Sequence, residues 1–295
     1  MSALASLDKI PLIQEFFNAC SAIAERNFLE LLGLHGGLKA VVRLPVTDSE
    51  GQIVSKYCTR IGWHVVQSSF RIATVRTTPL GDHFTINVPW DDPRGLISIV
   101  YISGNLETAK KAEITDQTGS NIELATLYQY PTCCASGYEE IMDGAYWVDV
   151  LVRRSRRSHQ SHFSNKLAYL FDGASLIPDY FPCSLSCNAS ESLGKEYDTL
   201  MRSFGLTDHV DSLCERLTRP ILISEGSAYQ FSGVTIRDEL FFYKSAKWYP
   251  WGTGCERVLP DSGELKLVEN NHLITAVSES GTIGTMFLFD SNPPS

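Results

Sequence analysis

What this sequence lacks narrows it first. No stretch is both long and apolar enough to span a bilayer, and the residues after Met1 have neither the basic start nor the apolar core of a secretory leader. The expectation is a cytoplasmic protein without a membrane partner. Bases are scarce beside acids: 25 Lys and Arg against 34 Asp and Glu give a net charge of -9. That balance argues against nucleic-acid binding through a generally basic surface. Internal repeats and low-complexity linkers are missing too. After the apolar run Gly95 to Ile102, the turn Ser103-Gly104-Asn105 holds a single glycine, whereas a dinucleotide-binding fingerprint needs several at fixed spacing.

What is present is a globular pattern. Hydrophobic residues make up 43% of the 295, enough for a sizeable core, and 1–295 is read as one compact unit. Apolar spacing predicts helix within 1–36, short β-branched runs make 37–102 strand-rich, 103–218 is mainly helical, and 219–290 returns to strands. His64 and Cys58 fall in or beside the first strands, with packing or surface roles. The fold class is α+β, with mixed or antiparallel sheets flanking a central helical segment.

Eight cysteines occur, and four of them bracket that segment: Tyr130-Pro131-Thr132-Cys133-Cys134 opens it and Phe181-Pro182-Cys183-Ser184-Leu185-Ser186-Cys187 closes it. Eight cysteines without a secretory leader fit metal binding or reactive thiols better than a disulfide framework. Cys133 and Cys134 precede Ala135 to Glu140, read as a helix start with Glu139 and Glu140 in its first turn. Pro182 suits the first position of another helix, which would set Cys183 and Cys187 one turn apart on one face. Thiols at helix N-termini favour the thiolate, the form that binds soft metals and attacks electrophiles.

Three chemistries stay open. Four cysteines match the ligand count of tetrahedral zinc or of an iron–sulfur cluster. Adjacent cysteines diverge around one ion and CxxxC is looser than a zinc knuckle, which favours the larger cluster. Alternatively Cys134 or Cys183 is a nucleophile, with His159 or His162 as its base and Glu139 as acid or base; Asp179 and Tyr180 would face the same cavity. In the third reading one thiol of each pair is buried and the other is idle. The basic run Arg153 to Arg157 reads as a solvated helix end or loop, or as an anion site.

These motifs carry a resemblance. Over about Ile97 to Tyr243 the chain resembles a poorly characterised bacterial and archaeal family marked by Gly-Tyr-Pro-Xaa-Cys-Cys followed by Pro-Cys-Ser-Xaa-Xaa-Cys. Some of its members look like natural-product pathway proteins. The resemblance assigns Cys133, Cys134, Cys183 and Cys187 by motif, with Gln129 standing where the family word has glycine. The expected function is a metal–thiolate enzyme, iron–sulfur or zinc, acting on a small metabolite by redox, sulfur-transfer or lyase chemistry. The alternatives are a structural-metal binding module serving a pathway partner, and a cysteine-nucleophile transferase or hydrolase.

Overall fold

The computed structural model describes residues 25–77, 83–142, 162–163, 176–177, 180, 182–224, 227–250, 256–270, 273–278 and 281–289. Seven helices and two sheets among them make an α+β fold, as the alternation of apolar periods implied.

The first sheet contains β1 (Val42–Val46), β2 (His64–Thr77), β3 (His83–Pro89) and β4 (Ile97–Ser103), antiparallel in the order β1-β4-β2-β3. The apolar run of β4 is buried on both faces, and its period of two sorts its side chains between them. Val100 and Ile102 pack with Leu31 and Leu34 of α1 (Glu25–His35) and with Val54 and Cys58 of α2 (Asp48–Ile61). Ile99 and Tyr101 meet Ala109 and Ala112 of α3 (Leu106–Thr118), with Leu127 of α4 (Asn121–Leu127) alongside.

The helix α2 corrects the strand-rich reading of 37–102 and puts Cys58 on a buried helical face. Its ends obey capping chemistry: Thr47 and Glu50 form a capping box, and Gly62 closes the helix at φ 77°. Hydrophobic period alone missed it because only Val54 and Cys58 are buried along its 14 residues.

The second sheet gathers β6 (Ile221–Ser224), β7 (Ser227–Ser232), β8 (Thr235–Arg237), β9 (Leu240–Tyr243), β10 (Ser245–Pro250), β11 (Gly263–Asn270), β12 (Leu273–Ser278) and β13 (Gly281–Phe289) in the antiparallel order β10-β7-β6-β13-β12-β11-β9-β8. The two-residue β5 (His162–Phe163) adds a parallel pairing to the end of β13. Ile221, Ile223 and Phe287 of this sheet meet a helical layer: α5 (Thr132–Met142), α6 (Asn188–Ser203) and α7 (Thr207–Leu217). Leu29 and Leu32 of α1 join the same core, while its Leu31 and Leu34 belong to the core of the first sheet. Helix α1 is therefore apolar on two sides and ties the sheets together. The cysteine corner lies in the layer between them.

Candidate metal centre

The corner is built by two helix beginnings. Helix α4 ends in a paired turn: Tyr130 N–H bonds Ala125 O at 2.9 Å and Gln129 N–H bonds Thr126 O at 3.0 Å, with Gln129 at φ 59°. This is a Schellman ending, whose left-handed position normally holds glycine. Pro131 cannot extend the helix; its carbonyl instead accepts from Cys134 at 2.9 Å and Ala135 at 3.0 Å to start α5. Cys133 and Cys134 thus sit in the first turn of α5, as expected. Because the helix begins at Thr132, Glu139 and Glu140 lie beyond its first turn, a correction to their reading as dipole-compensating acids.

The second pair is placed differently from the sequence reading. Pro182 to Cys187 form an irregular turn, with Cys187 N–H on Ser184 O at 3.4 Å, and α6 begins only at Asn188. Cys187 is its N-cap, at φ -74° and ψ 109°, and Glu191 N–H closes the first helical bond on the Cys187 carbonyl at 3.0 Å. Cys183 and Cys187 are therefore brought together by a turn preceding the helix rather than by helical spacing.

All four sulfurs lie within 4.8 Å of one another. Cys133 Sγ is 3.8 Å from Cys134 Sγ and 3.7 Å from Cys187 Sγ, and the Cys134 and Cys187 sulfurs are also 3.7 Å apart. Adjacent cysteines do not diverge here. Side chains tilt toward the N-terminus of their helix, so in a first turn both sulfurs lean past the helix end into one space. The four cysteines could hold a metal ion.

Around Cys134 the donors converge. This side chain is buried at 3% exposure, and its sulfur accepts from Tyr180 OH at 2.9 Å and from the Cys183 backbone N–H at 3.3 Å. Ser190 Oγ, from the first turn of α6, is 3.2 Å from the same sulfur and 2.6 Å from Tyr180 OH. Two polar hydrogens, from Tyr180 and from the Cys183 amide, meet this buried sulfur and orient it as outer-shell partners orient metal ligands.

The charges are set as a cation site needs them. Burial and the neighbouring Cys134 push the Cys133 thiol up to about 11, and the same two causes push Cys183 higher still. Burial would also raise Cys187, but hydrogen bonds from the Ser190 side chain and backbone and from the neighbouring thiols bring it below the ordinary value. Crowded thiolates repel, and a bound cation reverses that balance.

A cavity of about 470 Å³ opens beside the centre. Cys134, Tyr138 and Tyr180 line one part of it, while Lys39, Arg43 and Asp116 line another. Lys39 is buried against Glu30, its Nζ at 2.6 and 2.5 Å from the two carboxylate oxygens, and it also donates to Tyr130 OH at 3.0 Å.

Of the other sequence candidates, Tyr180 does join the thiols. His159, Asp179 and the Arg153 to Arg157 run lie outside the described residues, and His162 is placed by its backbone in β5, opposite Leu288. Sequence reasoning missed Ser190, for which the only signal was its place three residues after Cys187. It also missed the cavity charges, which come from Glu30, Lys39, Arg43 and Asp116, scattered over the chain.

No family model, curated protein or solved structure matches this chain. No helix among the described residues is long and apolar enough to cross a membrane.

Proposed function

We propose that the protein is a mononuclear zinc–thiolate protein that handles a small metabolite in the cavity beside its metal centre. The carrying observation is the separation of three of the four sulfurs, 3.7, 3.7 and 3.8 Å, with Cys183 Sγ within 4.8 Å of them. A tetrahedral ion with zinc–sulfur bonds of about 2.3 Å sets its ligands ~3.8 Å apart. An iron–sulfur cubane binds each cysteine through a different iron and spreads them wider, so the geometry favours one ion over the cluster. Cys133, Cys134, Cys183 and Cys187 would hold the ion, which supplies positive charge to four thiolates.

In the enzyme reading, the cavity takes the metabolite and the chemistry is sulfur transfer or a lyase reaction, because zinc holds one oxidation state, within the specialised biosynthesis that the motif resemblance suggests. The contact of Cys134 and Tyr180 with the cavity supports it. A structural role for the metal has its own support, because four thiols fill a tetrahedral shell and leave no open position. The ion would then brace α5 against the start of α6 in a module that presents a surface to a pathway partner. The nucleophile reading has less: of its two candidates, Cys134 is buried and Cys183 is held protonated by its burial and by the neighbouring Cys134.

Metal and acid-labile sulfide analysis of protein purified anaerobically tests the proposal. One zinc per chain without sulfide is expected. Brown protein containing sulfide, or metal-free protein in which all four thiols alkylate freely, would overturn it. Serine substitution at Cys134 then separates the two roles: lost folding marks a structural ion, while intact folding with lost turnover marks an enzyme.

A further inference from the structure

The cavity has donors that the protein leaves unmatched. Of its two cations, Lys39 is fully engaged, with Glu30 and Tyr130 taking its three protons. Arg43 is not. Its Nε donates to Asp116 Oδ2 at 2.7 Å, and its two terminal nitrogens bond nothing among the described residues. The same Asp116 oxygen also accepts from Tyr101 OH at 2.5 Å, so the guanidinium is fixed in place. The buried hydroxyl of Tyr128, in the same charge neighbourhood, has no hydrogen-bond partner among the described residues. Burial raises that phenol well above its ordinary value, which keeps it a donor.

An unbonded guanidinium edge offers two parallel N–H groups, the geometry that carboxylates accept in bidentate fashion. A buried hydroxyl without a partner costs free energy that an acceptor on a ligand would recover. The charge count limits that ligand. Arg43 is paired with Asp116 and Lys39 with Glu30, so the wall is neutral in sum and offers an anion one guanidinium edge rather than a positive cluster, which suits one negative charge better than two.

The rest of the wall describes the ligand's body. From Tyr128 the rings continue to Tyr130 at a centroid separation of 5.7 Å and on to Tyr180 at 4.9 Å, ending at the hydroxyl that bonds Cys134 Sγ. Leu124 and Ala125 of α4 add apolar surface. A volume of about 470 Å³ falls within the range of small-molecule sites, which run roughly from 300 to 1,000 Å³. Aromatic walls with one polar end select a flat, amphipathic molecule.

We propose that this cavity binds a small monocarboxylate with an aromatic body, its carboxylate on Arg43 and Tyr128 and its ring along Tyr130 toward Tyr180. The proposal rests on reading the cavity as a small-molecule site, and it is independent of which metal the thiols hold.

Phenylacetate and its neutral counterpart phenylacetamide serve as probes, titrated by calorimetry or ligand-observed NMR into the full chain as purified. Phenylacetate is expected to bind with a dissociation constant in the millimolar range or tighter, at least tenfold better than the amide. Arg43→Gln should remove that preference, and Tyr128→Phe should weaken the acid by about threefold to tenfold. Because Arg43→Gln also strips Asp116 of its partner, Ala125→Phe provides an independent variant that fills the cavity from α4; it should abolish acid binding while thermal melting shows a folded chain. Equal binding of acid and amide would overturn the ligand class while leaving a small-molecule site. Failure of both probes to bind, or acid binding that survives Arg43→Gln and Ala125→Phe alike, would overturn the proposal together with the small-molecule reading, whatever metal analysis finds.

Discussion

Two clusters of aromatic rings in this protein use the same side chains to opposite ends. In the second sheet Phe231 packs on Phe241 at 5.1 Å and on Tyr243 at 4.8 Å, and the tyrosine hydroxyls finish on backbone. Tyr243 OH donates to Pro260 O at 3.4 Å, and Tyr229 OH accepts from Val258 N–H at 2.9 Å. Beside the thiols the tilted rings of Tyr128, Tyr130 and Tyr180 meet at 5.7 and 4.9 Å, but their hydroxyls finish on no described partner, on a lysine and on a sulfur. Ring burial stabilises both clusters in the same way. What separates a packing core from a site is the destination of the polar tips.

Acidification should split the two regions most widely. Metal-free Cys133 and Cys183 hold their protons through neutral pH, so loading the centre must displace both. Apparent zinc affinity should therefore rise at least a hundredfold per pH unit between roughly pH 6 and 8, as competition with a chelator would show. A pH-independent affinity would mean that the thiols do not carry the ion. The upward shift of Cys133 also has a sign for the metal-free fold. The stability it contributes is present below the ordinary thiol value of 9.0 and is lost as pH rises through about 11. The melting temperature of metal-free protein should fall over that window, while zinc-loaded protein holds steady.

Removing single hydroxyls sharpens the contrast at smaller scale. Tyr180→Phe deletes a donor to the Cys134 sulfur and should weaken zinc binding by about tenfold, the lower end for losing an outer-shell partner. Tyr243→Phe deletes a long bond to a backbone carbonyl and should leave zinc affinity unchanged. Equal effects from the two substitutions would erase the distinction between the clusters.

The smallest effect concerns the turn that delivers Cys133 and Cys134. Gln129 occupies a left-handed position at φ 59°, which costs a residue with a Cβ roughly 1–2 kcal/mol. Gln129→Gly should raise stability by about 1 kcal/mol in denaturant unfolding, after the flexibility that glycine adds to the unfolded chain is deducted. Unchanged or reduced stability would show that the turn is not strained.

The legible parts of the sequence were those whose signal is local. The run into β4 read as a buried strand because both its faces are apolar, and Asn105 caps α3 immediately after it. The cysteine pairs were visible as words. Their convergence was not, because it depends on where α5 begins and on the turn before α6, and one-residue differences in helix start redirect a sulfur. Helix α2 lay hidden among strands because its evidence is in its caps, Thr47 and Gly62, rather than in its period. The cavity was illegible for a different reason: Glu30, Lys39, Arg43, Asp116 and Tyr128 meet only through the packing of α1, the first sheet, α3 and α4. Tertiary neighbours of this kind leave no spacing to read.

The measurement closest to the central claim is X-ray absorption at the metal edge of protein purified without added metal, read together with the visible spectrum of its cobalt-exchanged form. Three sulfurs at separations of 3.7 to 3.8 Å, with the fourth within 4.8 Å of them, predict a zinc edge, a first shell of four sulfurs at about 2.3 Å with no metal neighbour behind it, and tetrahedral cobalt bands. An iron edge with a second metal in the next shell, or a shell made of nitrogen and oxygen, would contradict it.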